Sequence, residues 1–227
     1  MRKVIIPIIG FVFLITILLG ACSDQLDPVS VNENSDILNS SVPAANQVTH
    51  ASSDVHWLDD GSEVEGAEAT LLRTRNNVRM TIKTTDLEPH HTYTIWWVIF
   101  NNPEECESDC DMMVDLFNDE VGGSLLYAAG NVIGGNGKGN FAGSLRVGDI
   151  SGCQAPWDVF NFCREGLVDV QNAEIQLVVR THGERIPGMV NDQINTYAGG
   201  CTADSSFGGS DGPNVCEDQQ IAVFETD

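Results

Sequence analysis

The stretch Val78-Arg79-Met80-Thr81-Ile82-Lys83 alternates apolar and polar side chains without a break, and Tyr93-Thr94-Ile95-Trp96-Trp97-Val98-Ile99-Phe100, close behind it, is apolar at both parities. Successive side chains of a strand point to opposite faces. Strict alternation therefore describes a strand with one wet face, and a run apolar at both parities describes a central strand covered on both sides. Apolar runs of this kind recur at 67–73, 78–84, 93–101, 124–133, 139–147, 174–181 and 220–225. The run from Glu174 to Arg180 also alternates, and its β-branched residues favour extended chain. Turn chemistry separates the runs: Asn76-Asn77, Glu88-Pro89 and Gly134-Gly135-Asn136-Gly137. Seven such runs predict an all-β fold, an antiparallel β-sandwich of immunoglobulin-like or Greek-key type with disulfide-stapled loops, in one domain over residues 55–227. Only 111–118 and 187–195 pattern as short helices.

The chain starts with Met1-Arg2-Lys3, runs apolar from Val4 to Leu19 with breaks at Pro7, Gly10 and Thr16, and then reads Gly20-Ala21-Cys22. A basic start, an apolar stretch and small residues before a cut form a signal peptide, and the stretch is short for a membrane span. Leu19-Gly20-Ala21-Cys22 resembles the bacterial lipobox. That resemblance implies a signal peptide over residues 1–21, cleavage before Cys22, and acylation of Cys22 by palmitate-type chains that hold the protein on a membrane, inner or outer. Residues 22–54 are rich in Ser, Asn, Asp, Val and Pro without periodicity and read as a flexible tether. Losing Arg2 and Lys3 leaves nine basic side chains against thirty-three acidic ones and moves the net charge from −22 to −24. So acidic a surface excludes nucleic acid and repels anionic headgroups.

With Cys22 assigned to lipid, Cys106, Cys110, Cys153, Cys163, Cys201 and Cys216 form an even set in an exported chain, which predicts three disulfides. Six cysteines allow fifteen connectivities. Proximity favours Cys106–Cys110, Cys153–Cys163 and Cys201–Cys216. Zinc is the competing reading, although paired CxxC knuckles are absent.

Three stretches carry a wider resemblance: Tyr93 through Pro103, then Tyr127-Ala128-Ala129-Gly130, then Leu177-Val178-Val179-Arg180-Thr181-His182-Gly183 running on to Gly199-Gly200-Cys201. They resemble an uncharacterised family of exported bacterial β-rich proteins over roughly residues 65 to 225, which implies location and fold but no activity. A fainter likeness, to chordin-type β modules, rests on His182 followed by Pro187-Gly188 and implies no site.

Five histidines are the first candidates for metal or acid–base chemistry. His50 falls in the tether. His90 and His91 follow Glu88-Pro89, and His182 ends the run from Glu174, so these three form a copper or zinc set if both ends lie at one pole of the sandwich. Exposed turn histidines are the plainer reading. Carboxylates crowd the first cysteine loop, Glu104, Glu105, Glu107, Asp109, Asp111 and Asp115. Oxygen donors suit calcium, with Glu105, Glu107, Asp109 and Asp111 as the candidate ligands, although the spacing is not an EF-hand and a solvated acidic loop competes. Trp57, Trp96, Trp97 and Trp157 raise glycan stacking. Trp96 and Trp97, adjacent in a strand, face opposite ways and suit a core, which leaves Trp157 as the candidate for exposure. No nucleophile elbow or Walker loop is present, and the run Gly134 to Gly139 reads as a hairpin turn between strands.

The leading expectation is a lipid-anchored envelope protein, on the extracytoplasmic side, that binds a ligand, an envelope protein or a glycan. The alternative is a copper- or zinc-dependent enzyme built on His90, His91 and His182.

Overall fold

The computed structural model describes residues 48–154, 162–209 and 211–226. The signal segment, Cys22, most of the tether and Trp157 lie outside the described residues. In chain order the strands are β1 (Thr49–Ser53), β2 (His56–Trp57), β3 (Glu68–Arg73), β4 (Asn77–Thr84), β5 (His91–Phe100), β6 (Ser124–Val132), β7 (Gly139–Arg146), β8 (Glu174–Glu184) and β9 (Glu217–Phe224). One α-helix, α1 (Val190–Asn195), stands among them. They form two packed antiparallel sheets, ordered β1-β3-β4-β7 and β2-β9-β8-β5-β6. The chain is thus the all-β sandwich that alternation predicts, and all seven expected runs are strands.

β4 shows why alternation was informative: Val78, Met80, Ile82 and Thr84 are buried, while Arg79, Thr81 and Lys83 are exposed. β5 pairs with β6 on one side and β8 on the other, and Thr92 to Phe100 are all buried. Trp96 and Trp97 lie on opposite faces of that strand, each 1% exposed. Burying aromatic side chains of that size contributes about 1.5–3 kcal/mol each and anchors both layers.

Four expectations need correcting. Residues 49–53, counted with the tether, form edge strand β1, because Thr49 to Ser53 find a full antiparallel register with Arg73 to Ala69. The alternation of β8 does not mark a wet face: Glu174 to His182 are all buried. The segment 111–118 is turns plus one 3₁₀ turn, Asp115–Phe117, since Asp115 turns inward to bind backbone. The glycine-rich turn at 134–139 is not a hairpin within one sheet; it crosses from β6 in one sheet to β7 in the other, because β7 pairs along its whole length with β4.

What covers the outer face of the five-stranded sheet is its set of long connections. β5–β6, β7–β8 and β8–β9 are joined by the chain at 101–123, 147–173 and 185–216, and each connection carries one cysteine pair. The pairs are those that proximity favoured, with Cα–Cα separations of 5.1 Å for Cys106–Cys110 and 5.5 Å for both Cys153–Cys163 and Cys201–Cys216. Loops this long carry few regular hydrogen bonds of their own, and a crosslink within each reduces the entropy lost on ordering it.

Candidate functional site

The outward side chains of β8 each grip one of these connections. Gln176 Nε2 donates to the carbonyl of Cys110 at 2.9 Å. Arg180 donates to the carbonyls of Tyr197 at 3.3 Å and Ser206 at 2.9 Å, pairs with Asp218 at 2.9 Å, and lies 4.0 Å from the Tyr197 ring centroid. His182 Nδ1 reaches the carbonyl of Gly199 at 2.9 Å. Buried polar groups must find partners, and here loop carbonyls supply them.

His182 is fully buried, and its tautomer follows from its neighbours. The Gly199 carbonyl only accepts, so Nδ1 carries the proton. Nε2 then accepts from Thr94 Oγ1 at 2.9 Å, and that hydroxyl itself accepts the indole N–H of Trp96 at 2.8 Å. Burial, first, and the nearby Arg180 lower the imidazole's affinity for a proton to a pKa of about 4, against the opposing pull of the Gly199 carbonyl. The backbones of β5 and β8 do bring His91 opposite Glu184, so the two histidine positions share a pole. His90 is exposed on a left-handed residue with φ 67°, and His91 is half-buried. His182 enters a metal set with them only by giving up one of its two ring hydrogen bonds. His50 lies exposed on β1, and Trp57 is half-buried on β2.

The acidic loop is organised by Asp115 rather than by its exposed acids. Asp115 is fully buried, and its carboxylate accepts backbone N–H groups from Glu107 at 2.8 Å, Asp111 at 2.9 Å and Ser108 at 3.2 Å. Asp111 in turn caps the N–H of Met113 at 2.7 Å. The expected calcium set is therefore not drawn together. Glu105, Glu107, Asp109 and Asp111 are all exposed, and no three of these carboxylates converge within 4.8 Å among the described residues.

Beside this loop, the pole of the sandwich at the start of β8 and the end of β9 holds a solvent-open cleft of about 1340 Å³. Seven carboxylates line it, among them Glu104, Asp109, Glu174 and Glu225, with Arg164 as the one basic lining residue. Glu174 sits at its floor, 7% exposed. Burial raises its carboxyl's proton affinity, as do Glu225, Asp109 and Asp115, against the opposing hydrogen bond from Gln176 Nε2 at 2.8 Å. Arg164 pairs with Asp119 at 2.7 Å, while its Nε is buried with no hydrogen-bond partner among the described residues. Concave walls lined by one sign of charge focus potential and concentrate counter-ions. Two cues to this cleft stand in the sequence, the acids at 104–115 and a glutamate opening an apolar strand, but Asp119, Glu165, Asp169 and Glu225 lie outside both and only folding gathers them.

Comparison of the chain with known protein families, with curated proteins and with solved structures finds no match, so its chemistry is read from its own residues.

Proposed function

We propose that the chain is an exported, lipid-anchored envelope protein whose sandwich binds a positively charged ligand at the polar cleft of its Glu174 pole. The observation that carries the binding reading is the cleft: seven carboxylates around one arginine, with a desolvated glutamate at the floor. The chemistry that suits it is a cation: a divalent ion coordinated by carboxylate oxygens, or a polyamine or basic segment of an envelope protein that donates hydrogen bonds to them. The anchored reading rests on Leu19-Gly20-Ala21-Cys22, and the pairing of Cys106, Cys110, Cys153, Cys163, Cys201 and Cys216 supports it by leaving Cys22 as the seventh cysteine.

Two measurements test the two halves separately. Cys22→Ala is expected to abolish labelling by a fatty-acid probe, and persistent labelling would remove the anchor. For the cleft, the lipid-free chain is melted in millimolar calcium, in spermidine and with a lysine-rich peptide, each against sodium chloride of equal ionic strength. A ligand that binds only the folded state raises the melting temperature by mass action, whereas general screening acts alike in matched salt. A rise of several degrees with one cation class, lost in Glu174→Gln, supports the reading. Identical curves in all conditions reduce the cleft to a solvated acidic surface.

A further inference from the structure

At the far end of β8 from the cleft, a cluster remains that the binding reading does not use. His182 Nδ1 lies 3.5 Å from Cys201 Sγ and 4.0 Å from Cys216 Sγ. These three donor atoms lie within 4.8 Å of one another, the one such group of His, Cys, Asp or Glu donors among the described residues. All three side chains are buried. A metal bound by two thiolates and an imidazole, at about 2.3 Å from sulfur and 2.0–2.1 Å from nitrogen, holds sulfur and nitrogen roughly 3.5–3.8 Å apart. The observed nitrogen–sulfur separations are close to that spacing, so the missing change is parting of the two sulfurs.

We propose that Cys201, Cys216 and His182 form a Cu(I) site that the disulfide keeps closed and that two-electron reduction opens. A dithiol reductant delivers two electrons and two protons to the sulfur–sulfur bond; the bond breaks to two thiols, and the reductant closes to its own disulfide. Cu(I) then binds both sulfurs as thiolates and releases their two protons. Two soft thiolates with one imidazole, three donors in all, suit Cu(I), whereas a structural zinc ion takes four ligands. For Nδ1 to ligate, the ring proton moves to Nε2, where Thr94 Oγ1, now 2.9 Å away as donor, turns acceptor. The ring thereby keeps one orienting hydrogen bond, as metal-bound imidazoles do. Between the cysteines, Ala203, Asp204, Ser206 and Val215 are exposed. The ends of that segment are joined by backbone hydrogen bonds as well as by the disulfide, Thr202 N–H to the Asn214 carbonyl at 2.7 Å and Asn214 N–H to the Gly200 carbonyl at 3.0 Å, so the two sulfurs stay neighbours once their bond is broken.

The test reduces the lipid-free chain with dithiothreitol in the absence of oxygen, removes the reductant, and titrates Cu(I) against a chromophoric Cu(I) chelator. The Cys201→Ser/Cys216→Ser double variant, which keeps the other two pairs and His182, is treated identically. The reduced wild type is expected to hold one more Cu(I) per chain than the variant, with its β-sheet circular dichroism retained and both sulfur and imidazole nitrogen in the copper X-ray absorption spectrum. Should the variant fail to fold, the wild-type spectrum decides. Equal copper loading of two folded proteins, a sulfur-only copper environment, or loss of the sheet signal on reduction each overturns the proposal. Cleft binding and anchoring are read without copper, so their success or failure is independent of this result.

Discussion

His182 Nε2 accepts the hydroxyl proton of Thr94 across 2.9 Å, tying β8 to β5 side chain to side chain beneath the covering connections. The contact requires a neutral ring, and the ring's pKa is about 4 in the folded protein against 6.5 ordinarily. Above about pH 6.5 both folded and unfolded chains hold the ring neutral, and it leaves stability independent of pH. Between those values the unfolded chain takes up a proton that the folded chain refuses, so stability falls as pH falls, and below about pH 4 the effect is complete. At 1.36 kcal/mol per unit the whole effect is about 3 kcal/mol. Urea unfolding at pH 7.0 and pH 4.5 is therefore expected to show a drop about 2 kcal/mol larger in the wild type than in His182→Gln. Equal drops would place the acid sensitivity elsewhere.

Asp115 holds three backbone N–H groups of the first cysteine loop on one buried carboxylate. Asp115→Ala leaves those donors without their acceptor, each costing about 1–3 kcal/mol where water cannot reach it. The expected loss is about 2–4 kcal/mol by chemical denaturation, with Asp115→Asn intermediate because one acceptor oxygen survives. A loss under about 1 kcal/mol for the alanine variant would show that the loop rests on its disulfide instead.

Gly130, on β6, lies directly under α1. A Cβ there would stand 1.9 Å from the carbonyl oxygen of Ile194 and 2.7 Å from its carbon. Backbone on a helix cannot step aside cheaply, so Gly130→Ala is expected to displace α1 and cost about 2–3 kcal/mol, in the range of overpacked cores. Tyr127→Phe, which removes a 2.8 Å hydrogen bond to the same carbonyl, is expected to cost nearer 1 kcal/mol. If the tyrosine variant proves the more damaging of the two, close helix–strand packing is not what holds α1.

The three cysteine pairs span sequence separations of 4, 10 and 15 residues. In the chain-entropy model such loops contribute about 2–3 kcal/mol each, the longest the most. Peptide mapping of the chain is expected to find all three links and no free thiol at these six positions. Removing Cys201 and Cys216 together should lower the melting temperature more than removing Cys106 and Cys110 together. The reverse order would mean that native packing around the bridges, not loop entropy, sets their worth.

By itself the sequence determined the class of fold and its redox chemistry. Period-2 patterning in β4 and the doubly apolar β5 named a covered sandwich, because side-chain direction along a strand is a local property of the backbone. Proximity along the chain named the three bridges, because short loops close most readily. Tertiary structure decided what each polar residue does. Gln176 and Arg180 look like the polar face of an alternating strand, and His182 like a histidine at its end, until the connections at 101–123 and 185–216 fold over them and supply acceptors from far along the chain. Asp115 looks like one more member of an acidic loop until its carboxylate meets three N–H groups. The cleft around Glu174 exists only where the chain at 101–122, 164–174 and 225–226 meets. Period and proximity are written in neighbouring residues, whereas the burial and partners of a polar group depend on which distant chain arrives to cover it.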